Sequence, residues 1–536
     1  MNVIKAPVRG NVFALATLLA IAAPTTAEAF CGFYIDAQGS EMVNNATQVV
    51  LMRQGTRTVL SMQNNYQGPP KDFAMVIPVP VVLKEGDVKT LPKDVFKKVD
   101  AMSSPRLVEY WEQDPCRIDD DDAEEDASPR REKRKMSKKS ADDGGDYGVT
   151  VEAKFDVGEY QVVILSAKDS TGLDRFLRDQ KYQIPKGAQP LLAPYVAAGS
   201  KFFVAKVNPA KVTFVNGMAQ LSPLRFHYDT EEFSLPIRLG LVSSSGTQDL
   251  IVNILAPGQR FELANYKNVV IPTNFDVKDE VRTRFGEFYA ALFDRTVQQN
   301  PGAIVTEYAW DASTCDPCPG PNLDGTDFQT LGADVMGGND DDNQPRKRGR
   351  RGGRGGRGGY VLTRLHARYG KEVPNDLVFK EAPPIVGGRE IRRENNELEH
   401  GATSDSYNNF QGRYAIRHAW TGPVSCPSPH RGRWGGPPEG TQMATPQGAT
   451  DTAFAPRGTM QIPLVVQRDL PEINVKMGVP IALSPASNLS GSPILANGTV
   501  QRKPQGCGCD AGAGGFAGGA GLAGVVLFGL RRRRRR

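Results

Sequence analysis

The sequence predicts a β-rich α+β protein, with antiparallel, sandwich-like sheets, a few packed helices and disordered charged insertions. Three observations lead there. Short β-branched and aliphatic runs recur along most of the chain, punctuated by Gly, Pro, Asn and Asp. Helical periodicity is confined to a few windows. Charge is blocked: residues 119–122 with Glu124, Glu125 and Asp126 are acidic, and Arg130, Arg131, Lys133, Arg134, Lys135, Lys138 and Lys139 are basic. Like-charge blocks bury no apolar area and stay solvated. With 536 residues, 39% hydrophobic and 23% charged, the chain can build real cores. That composition excludes a wholly disordered chain, a multi-pass membrane protein and a disulfide-dense miniprotein.

The elements follow in order. Residues 47–53 and 57–63 read as strands joined by Gln54-Gly55-Thr56, a hairpin pattern. The apolar run 73–83 contains Pro78 and Pro80, which lack ladder donors and push it to an edge or bulged position. Pro92 with Val95, Phe96 and Val99 suggests a short helix. Further strands are expected at 149–155, 160–166, 202–207, 237–242 and 250–255; residues 304–310 follow, and the ordered chain resumes near Tyr360 with 361–369. One helix is capped by Ser170 or Thr171, with Leu173, Phe176 and Leu177 on its apolar face. A second spans 278–298, where Val281, Phe285, Phe288, Tyr289, Leu292 and Phe293 keep helical spacing and read as packing residues.

Both ends read as addresses. Lys5 and Arg9 precede an apolar stretch at 12–23, and Ala27-Glu28-Ala29 gives a small-x-small cleavage site. Signal peptidase is therefore the expected first partner, cutting after Ala29; the alternative is a buried N-terminal helix. At the other end Cys507 and Cys509 precede a charge-free stretch, 511–530, and then six arginines. Twenty helical residues span about 30 Å, the thickness of a bilayer core. This order of cysteine, apolar segment and arginine run resembles the MYXO-CTERM sorting signal. The resemblance implies a sorting peptidase, processing at Cys507 or Cys509, and an anchor to the membrane or its lipid at the outer surface of a Gram-negative-type cell. An ordinary single-pass tail anchor is the alternative. Without Lys5, Arg9 and the six terminal arginines, the 65 basic residues fall to 57 against 60 acidic. The formal +5 thus belongs to the address segments.

A second resemblance lies in the body of the chain. Cys31-Gly32-Phe33-Tyr34, Asn64-Asn65-Tyr66-Gln67-Gly68 running into residues 72–80, and Pro105-Arg106-Leu107-Val108-Glu109-Tyr110 resemble the domain of unknown function 2330 family. Ala256-Pro257-Gly258-Gln259-Arg260 with Ala264-Asn265-Tyr266 fits the same pattern. The resemblance spans roughly 30–330, extending to about 425, and implies an exported bacterial protein with no established activity. The expected organisation is a signal peptide at 1–29, this domain at 30–330 with a charged insert at about 118–147, and an Arg/Gly-rich insert at 337–359. Residues 360–475 continue the ectodomain or form a small second domain, 476–505 are a stalk, and 506–536 the sorting signal.

The candidate chemistry is sparse. Cys31, Cys116, Cys315, Cys318 and Cys426 would meet an oxidising environment, where disulfides are the default. The expected pairing joins Cys31 to Cys116 and Cys426 to Cys315 or Cys318, although sequence does not determine connectivity. No cofactor is expected. The alternative is zinc, held by Cys315, Cys318, Cys426 and His430. A redox-active C-x-x-C is disfavoured because no thioredoxin-like strand and helix surround it. The basic run from Arg346 to Arg357 could touch polyanions through counterion release, but without interleaved aromatics no specific nucleic acid is expected. No nucleophile elbow, H-E-x-x-H or P-loop is present. His366 and His418 occur in strand-like surroundings and read as structural. The resulting expectation is an exported, surface-anchored protein with a structural or binding role. The alternative is a surface hydrolase with an unrecognised active site.

Overall fold

A computed structural model describes residues 48–63, 74–117, 148–180, 187–215, 218–243, 248–336, 359–370, 372–391, 398–438 and 457–481, with the short pieces 33–35, 43–44 and 66–67 and the single residues 441 and 455. In chain order the principal strands are β1 (Gln48–Gln54), β2 (Arg57–Met62), β3 (Ala74–Val79) and β4 (Arg106–Glu112). They continue as β5 (Val149–Val157), β6 (Tyr160–Ala167), β7 (Lys201–Val207) and β8 (Leu224–Asp229). The last four are β9 (Gln248–Pro257), β10 (Ile304–Asp311), β11 (Tyr360–Tyr369) and β12 (Arg413–His418). The principal helices are α1 (Asp94–Ser103), α2 (Ser170–Asp179), α3 (Ala188–Ala197) and α4 (Phe285–Gln299).

Two sheets face one another across a shared core. The first runs Phe33–Ile35, β3, β7, β6, β5, all antiparallel. The second runs from Val88–Thr90 through β8, β2, β1, β9, β11 and β10 to short strands at Asn409–Gln411, Ile385–Gly387 and Thr403–Ser404. Within it β1 and β9 are parallel. Ile77, Val162, Ile164 and Phe203 from the first sheet meet Leu51, Leu60, Val252 and Ile254 from the second. Each such buried side chain contributes roughly 1.5–3 kcal/mol, making this the main apolar layer. The α2 and α3 helices cover the outer face of the first sheet, while α1 and α4 cover the outer face of the second. The order is thus helix, sheet, sheet, helix, in agreement with the α+β expectation.

Local chemistry accounts for most elements. The β1–β2 and β5–β6 hairpins turn through Gly55 and Gly158, both at φ +56°, a backbone region that favours glycine. The α4 periodicity buries Phe285, Phe288, Tyr289, Leu292 and Phe293 as expected. Its start is later than the sequence suggests: Asp279–Val281 forms a separate 3-10 turn, and Arg284 at φ −128° interrupts propagation. For α2 the cap is Asp169, whose carboxylate accepts from Gly172 N at 2.7 Å, rather than Ser170 or Thr171.

Two strand expectations fail. Residues 237–242 form a 3-10 turn, Arg238–Ser243, because Asp376 Oδ1 accepts from the amides of both Ile237 and Arg238. Leu239 then reaches the apolar layer under α2 and α3 without a ladder. The proline-bearing β3 is second in its sheet, not at the edge. Pro78 pairs with Phe202 of β7, and the described pairing with Phe33–Ile35 covers Ala74 to Val76. The inserts around 118–147 and 337–358, the 482–505 stretch and both address segments lie outside the described residues. Among the described residues no helix is long and apolar enough to cross a membrane.

Candidate functional site

The densest polar constellation sits on the outer face of the second sheet, beneath α4. Strand alternation places Arg364, His366 and Arg368 of β11 on that face, while Leu365 and Ala367 point into the sandwich core. In the neighbouring β9, Asn253 lies opposite Arg364 and Asp249 opposite Arg368. The β10 strand carries a bulge between Thr306 and Tyr308 where it pairs with β11. Glu307 is the extra residue, and the bulge turns its carboxylate toward the charges of β11.

Glu307 is the hub. Its Oε2 accepts from Arg364 Nε at 2.6 Å, its Oε1 lies 2.6 Å from His366 Nδ1, and the Tyr289 hydroxyl of α4 donates to the same Oε1. Arg364 Nη1 reaches Asp100 of α1 at 2.8 Å and Ser103 Oγ at 3.2 Å. Arg368 clamps Asp249 with contacts of 2.9 and 3.2 Å, and pairs with Asp294 of α4 at 2.7 Å. Arg457, from the segment that crosses α4, bonds both Asp249 and Asp294. Phe293 closes the stack, its ring 3.5 Å from the imidazole at an interplanar angle of 15°.

Charge counting determines the protonation of this cluster. Asp100, Asp249, Asp294 and Glu307 face Arg364, Arg368 and Arg457, which leaves one negative charge for His366 to balance. Burial pushes the His366 imidazole down, but Glu307 and Asp249 outweigh it and raise its pKa above the ordinary value. Burial likewise pushes Glu307 up, yet His366 and Arg364 hold its carboxyl at about 2. Asp249 lies well below the carboxylate range because Arg368 and Arg457 overcome its desolvation. For Tyr289, burial and the adjacent Glu307 charge both raise the phenol. The carboxylates around it thus favour the charged form of His366; its Nε2 faces Asp249 at 3.6 Å, too long for a hydrogen bond.

A histidine, a carboxylate and a phenol in line are acid–base groups, but here each is spent. Glu307 is 0% exposed and His366 1%, and the Tyr289 phenol is held to Glu307. The cluster joins α1, β9, β10, β11, α4 and the Arg457 segment, which gives it the place of a structural keystone.

The other histidine singled out by sequence is more accessible. His418 Nε2 on β12 lies 2.8 Å from Glu109 Oε2 on β4, and the imidazole stacks on Trp111 at 4.7 Å. Arg282 holds the second Glu109 oxygen at 3.1 Å. These strands belong to a third sheet, ordered Phe275–Asp276, β12, β4, Trp434–Gly435, in which β12 and β4 run parallel.

That parallel pairing also corrects the disulfide expectation. Its register sets His418 beside Trp111, so the chain leaving each strand runs on together and Cys116 meets Cys426. The two are bonded at a Cα separation of 5.4 Å across 310 residues of sequence. Cys315 and Cys318 are bonded to one another, with Cα atoms 4.9 Å apart. The expected partnerships of Cys426 with Cys315 or Cys318, and of Cys31 with Cys116, are thereby replaced; Cys31 itself lies outside the described residues. The zinc alternative fares no better. Three of its four ligands are in two separate disulfides, and no metal-binding group of His, Cys, Asp or Glu occurs among the described residues. His430 is exposed and its amide bonds Pro115 O at 2.8 Å. Ala29, Cys507, Cys509 and the run from Arg346 to Arg357 lie outside the described residues.

The sequence model of DUF2330, described as an uncharacterized protein conserved in bacteria, matches residues 25–380, about two thirds of the chain. The chain belongs to the DUF2330 family. No curated protein and no solved structure matches it. The DUF2330 match ends sooner than the resemblance to about 425 suggested. Within it fall Asp100, Asp249, Tyr289, Asp294, Glu307, Arg364, His366 and Arg368, whereas Arg457 and the β12 side of the third sheet lie beyond. Of this cluster the sequence singles out His366, read as structural, and Tyr289 and Phe293, read as packing residues of a helix face. The available signal was the alternation of Arg364, His366 and Arg368, a pattern shared with any solvent-facing strand.

Proposed function

We propose that this DUF2330 member is an exported protein anchored at the outer cell surface, with a structural or binding role. The observation that carries the reading is the pair of disulfides, Cys116–Cys426 and Cys315–Cys318, since such bonds persist in oxidising compartments. The N-terminal signal pattern ending at Ala29 and the C-terminal Cys507, Cys509 and arginine run agree with it. In this reading the sorting peptidase acts at Cys507 or Cys509, and the run from Arg346 to Arg357 is the contact for extracellular polyanions.

The protein recovered from its own host tests this. Expected are a mature chain beginning at Phe30, loss of the arginine tail, surface accessibility to protease, and four cysteines that resist alkylation until reduced. A cytosolic chain retaining residues 1–29, with all four thiols free, would overturn the reading. A surface hydrolase is the second reading, favoured by the half-exposed His418 against Glu109. Turnover of a generic ester, peptide or glycoside substrate, lost in His418→Ala while the fold is retained, would establish it.

A further inference from the structure

Cys315 and Cys318 follow directly after β10, in a tight turn whose two sulfurs have unequal access: Cys318 is exposed and Cys315 half-buried. The turn is tied down at its middle by side chains from elsewhere. Gln411 Nε2 donates to Asp316 O at 2.6 Å, and Arg106 Nη1 donates to Pro317 O at 2.6 Å. Asn322 Nδ2 donates to Ser313 O at 2.8 Å, which aims Asn322 Oδ1 at Cys315 Sγ, 2.6 Å away. None of these anchors needs the S–S bond. Opening it therefore leaves both sulfurs held close enough to re-form it.

Arg106 is 8% exposed, makes no ion pair with any described residue, and bonds the carbonyls of Pro317 and Met102. Its bond to the Pro317 carbonyl, between the two cysteines, holds the turn from the protein side whichever redox state the ring is in. The ring also contributes little to stability. Loop-closure gain grows with the logarithm of loop length, and this bond spans three positions whereas Cys116–Cys426 spans 310. An exposed, entropically minor disulfide on a pre-fixed turn is placed for chemistry more than for stapling.

We propose that Cys315–Cys318 is a dithiol–disulfide exchange site that accepts electrons from a thiol partner, either a dithiol protein or a small thiol. A partner thiolate attacks Cys318 Sγ, the accessible sulfur. The Cys315–Cys318 bond breaks, and its electron pair leaves on Cys315, which takes a proton and donates to Asn322 Oδ1. A second partner thiolate then attacks the mixed disulfide and releases Cys318 as thiolate. The Cys318 thiolate takes the second of the two protons given up by the partner thiols, so the partner ends as a disulfide, Cys315 and Cys318 as two thiols, and two electrons and two protons have moved. The cysteines lack a thioredoxin-like helix; the anchored turn takes its place.

Reduced glutathione is the probe, applied to the folded wild-type chain with acid quenching, alkylation and peptide mass mapping. The expected trapped species carries glutathione on Cys318 and the alkyl label on Cys315. In a dithiothreitol titration, Cys315–Cys318 is expected to open at about one tenth of the concentration that opens Cys116–Cys426, with thermal unfolding unchanged. Glutathione found mainly on Cys315, or both bonds opening together, would overturn the proposal. Cys116→Ser/Cys426→Ser keeps the test readable, since it removes the competing bond; if the turn then resists glutathione as the large loop did, the exchange site is excluded. None of these readouts depends on export.

Discussion

Two helix layers flank the same sandwich, and they are held by opposite means. Under α2 and α3 the contact is oil: Leu173, Leu177 and Leu192 pack on Val76, Leu165, Phe202 and Val204. Under α4 the aromatic face gives way at Tyr289 and Asp294 to a charge-balanced cluster around Glu307 and His366. An apolar layer tolerates small losses and is indifferent to pH. A buried ionic layer is worth little beyond its hydrophobic substitute while intact, yet removing one member strands the rest. The difference teaches where this protein is vulnerable. The largest expected effect is therefore Glu307→Ala, which leaves Arg364 and His366 uncompensated and should cost about 3–5 kcal/mol in chemical denaturation. Leu192→Ala on the other side should cost about 2–5 kcal/mol. What separates the two is the shape of their pH dependence, more than their size.

That dependence is the second prediction. Glu307 has a depressed pKa, so its contribution is full above the unfolded value near 4.5 and fades as pH falls toward about 2. His366 has a raised pKa, so its contribution is full below the unfolded value near 6.5 and is lost as pH climbs through the folded one. The wild-type unfolding free energy should form a plateau between about pH 4.5 and 6.5 and decline on both sides. Subtracting the Leu192→Ala profile should leave a constant, whereas subtracting Glu307→Ala should leave both limbs. A pH-independent difference for Glu307→Ala would mean that the ionic layer is not what holds α4.

The same contrast decides what could be read in advance. The apolar layer was legible because periodicity and burial coincide: Leu173, Phe176 and Leu177 repeat as a helix face and are found as one. So were the aromatics of α4. The ionic cluster was hidden for three physical reasons. Arg364, His366 and Arg368 alternate with apolar residues, as a solvent face does. Glu307 reaches them only through a bulge, which depends on how β10 pairs with β11. Arg457 arrives from 89 residues beyond Arg368, along a segment with no periodicity to place it. Disulfide connectivity failed for a related reason. Cys116 and Cys426 meet because β4 and β12 pair in parallel, a long-range choice that spacing does not encode. The four half-ligands of a zinc site likewise looked assembled only while their partners were unknown.

The smallest expected effect sharpens the comparison from the apolar side. Asp169 is exposed and touches α2 through its cap hydrogen bond to Gly172 N, so Asp169→Ala should cost about 1 kcal/mol, with Asp169→Ser nearly neutral. The cost arises at the helix end, because an unpaired amide there returns to water without disturbing Leu173 or Leu177. Asp169 shares no partner with Glu307, so Asp169→Ala combined with Glu307→Ala should be additive within about 0.5 kcal/mol. Denaturant titration of the two single variants and the double measures this directly. An excess beyond that margin would mean that loosening one helix layer is felt across both sheets, and the sandwich would then transmit strain between layers that its chemistry keeps separate.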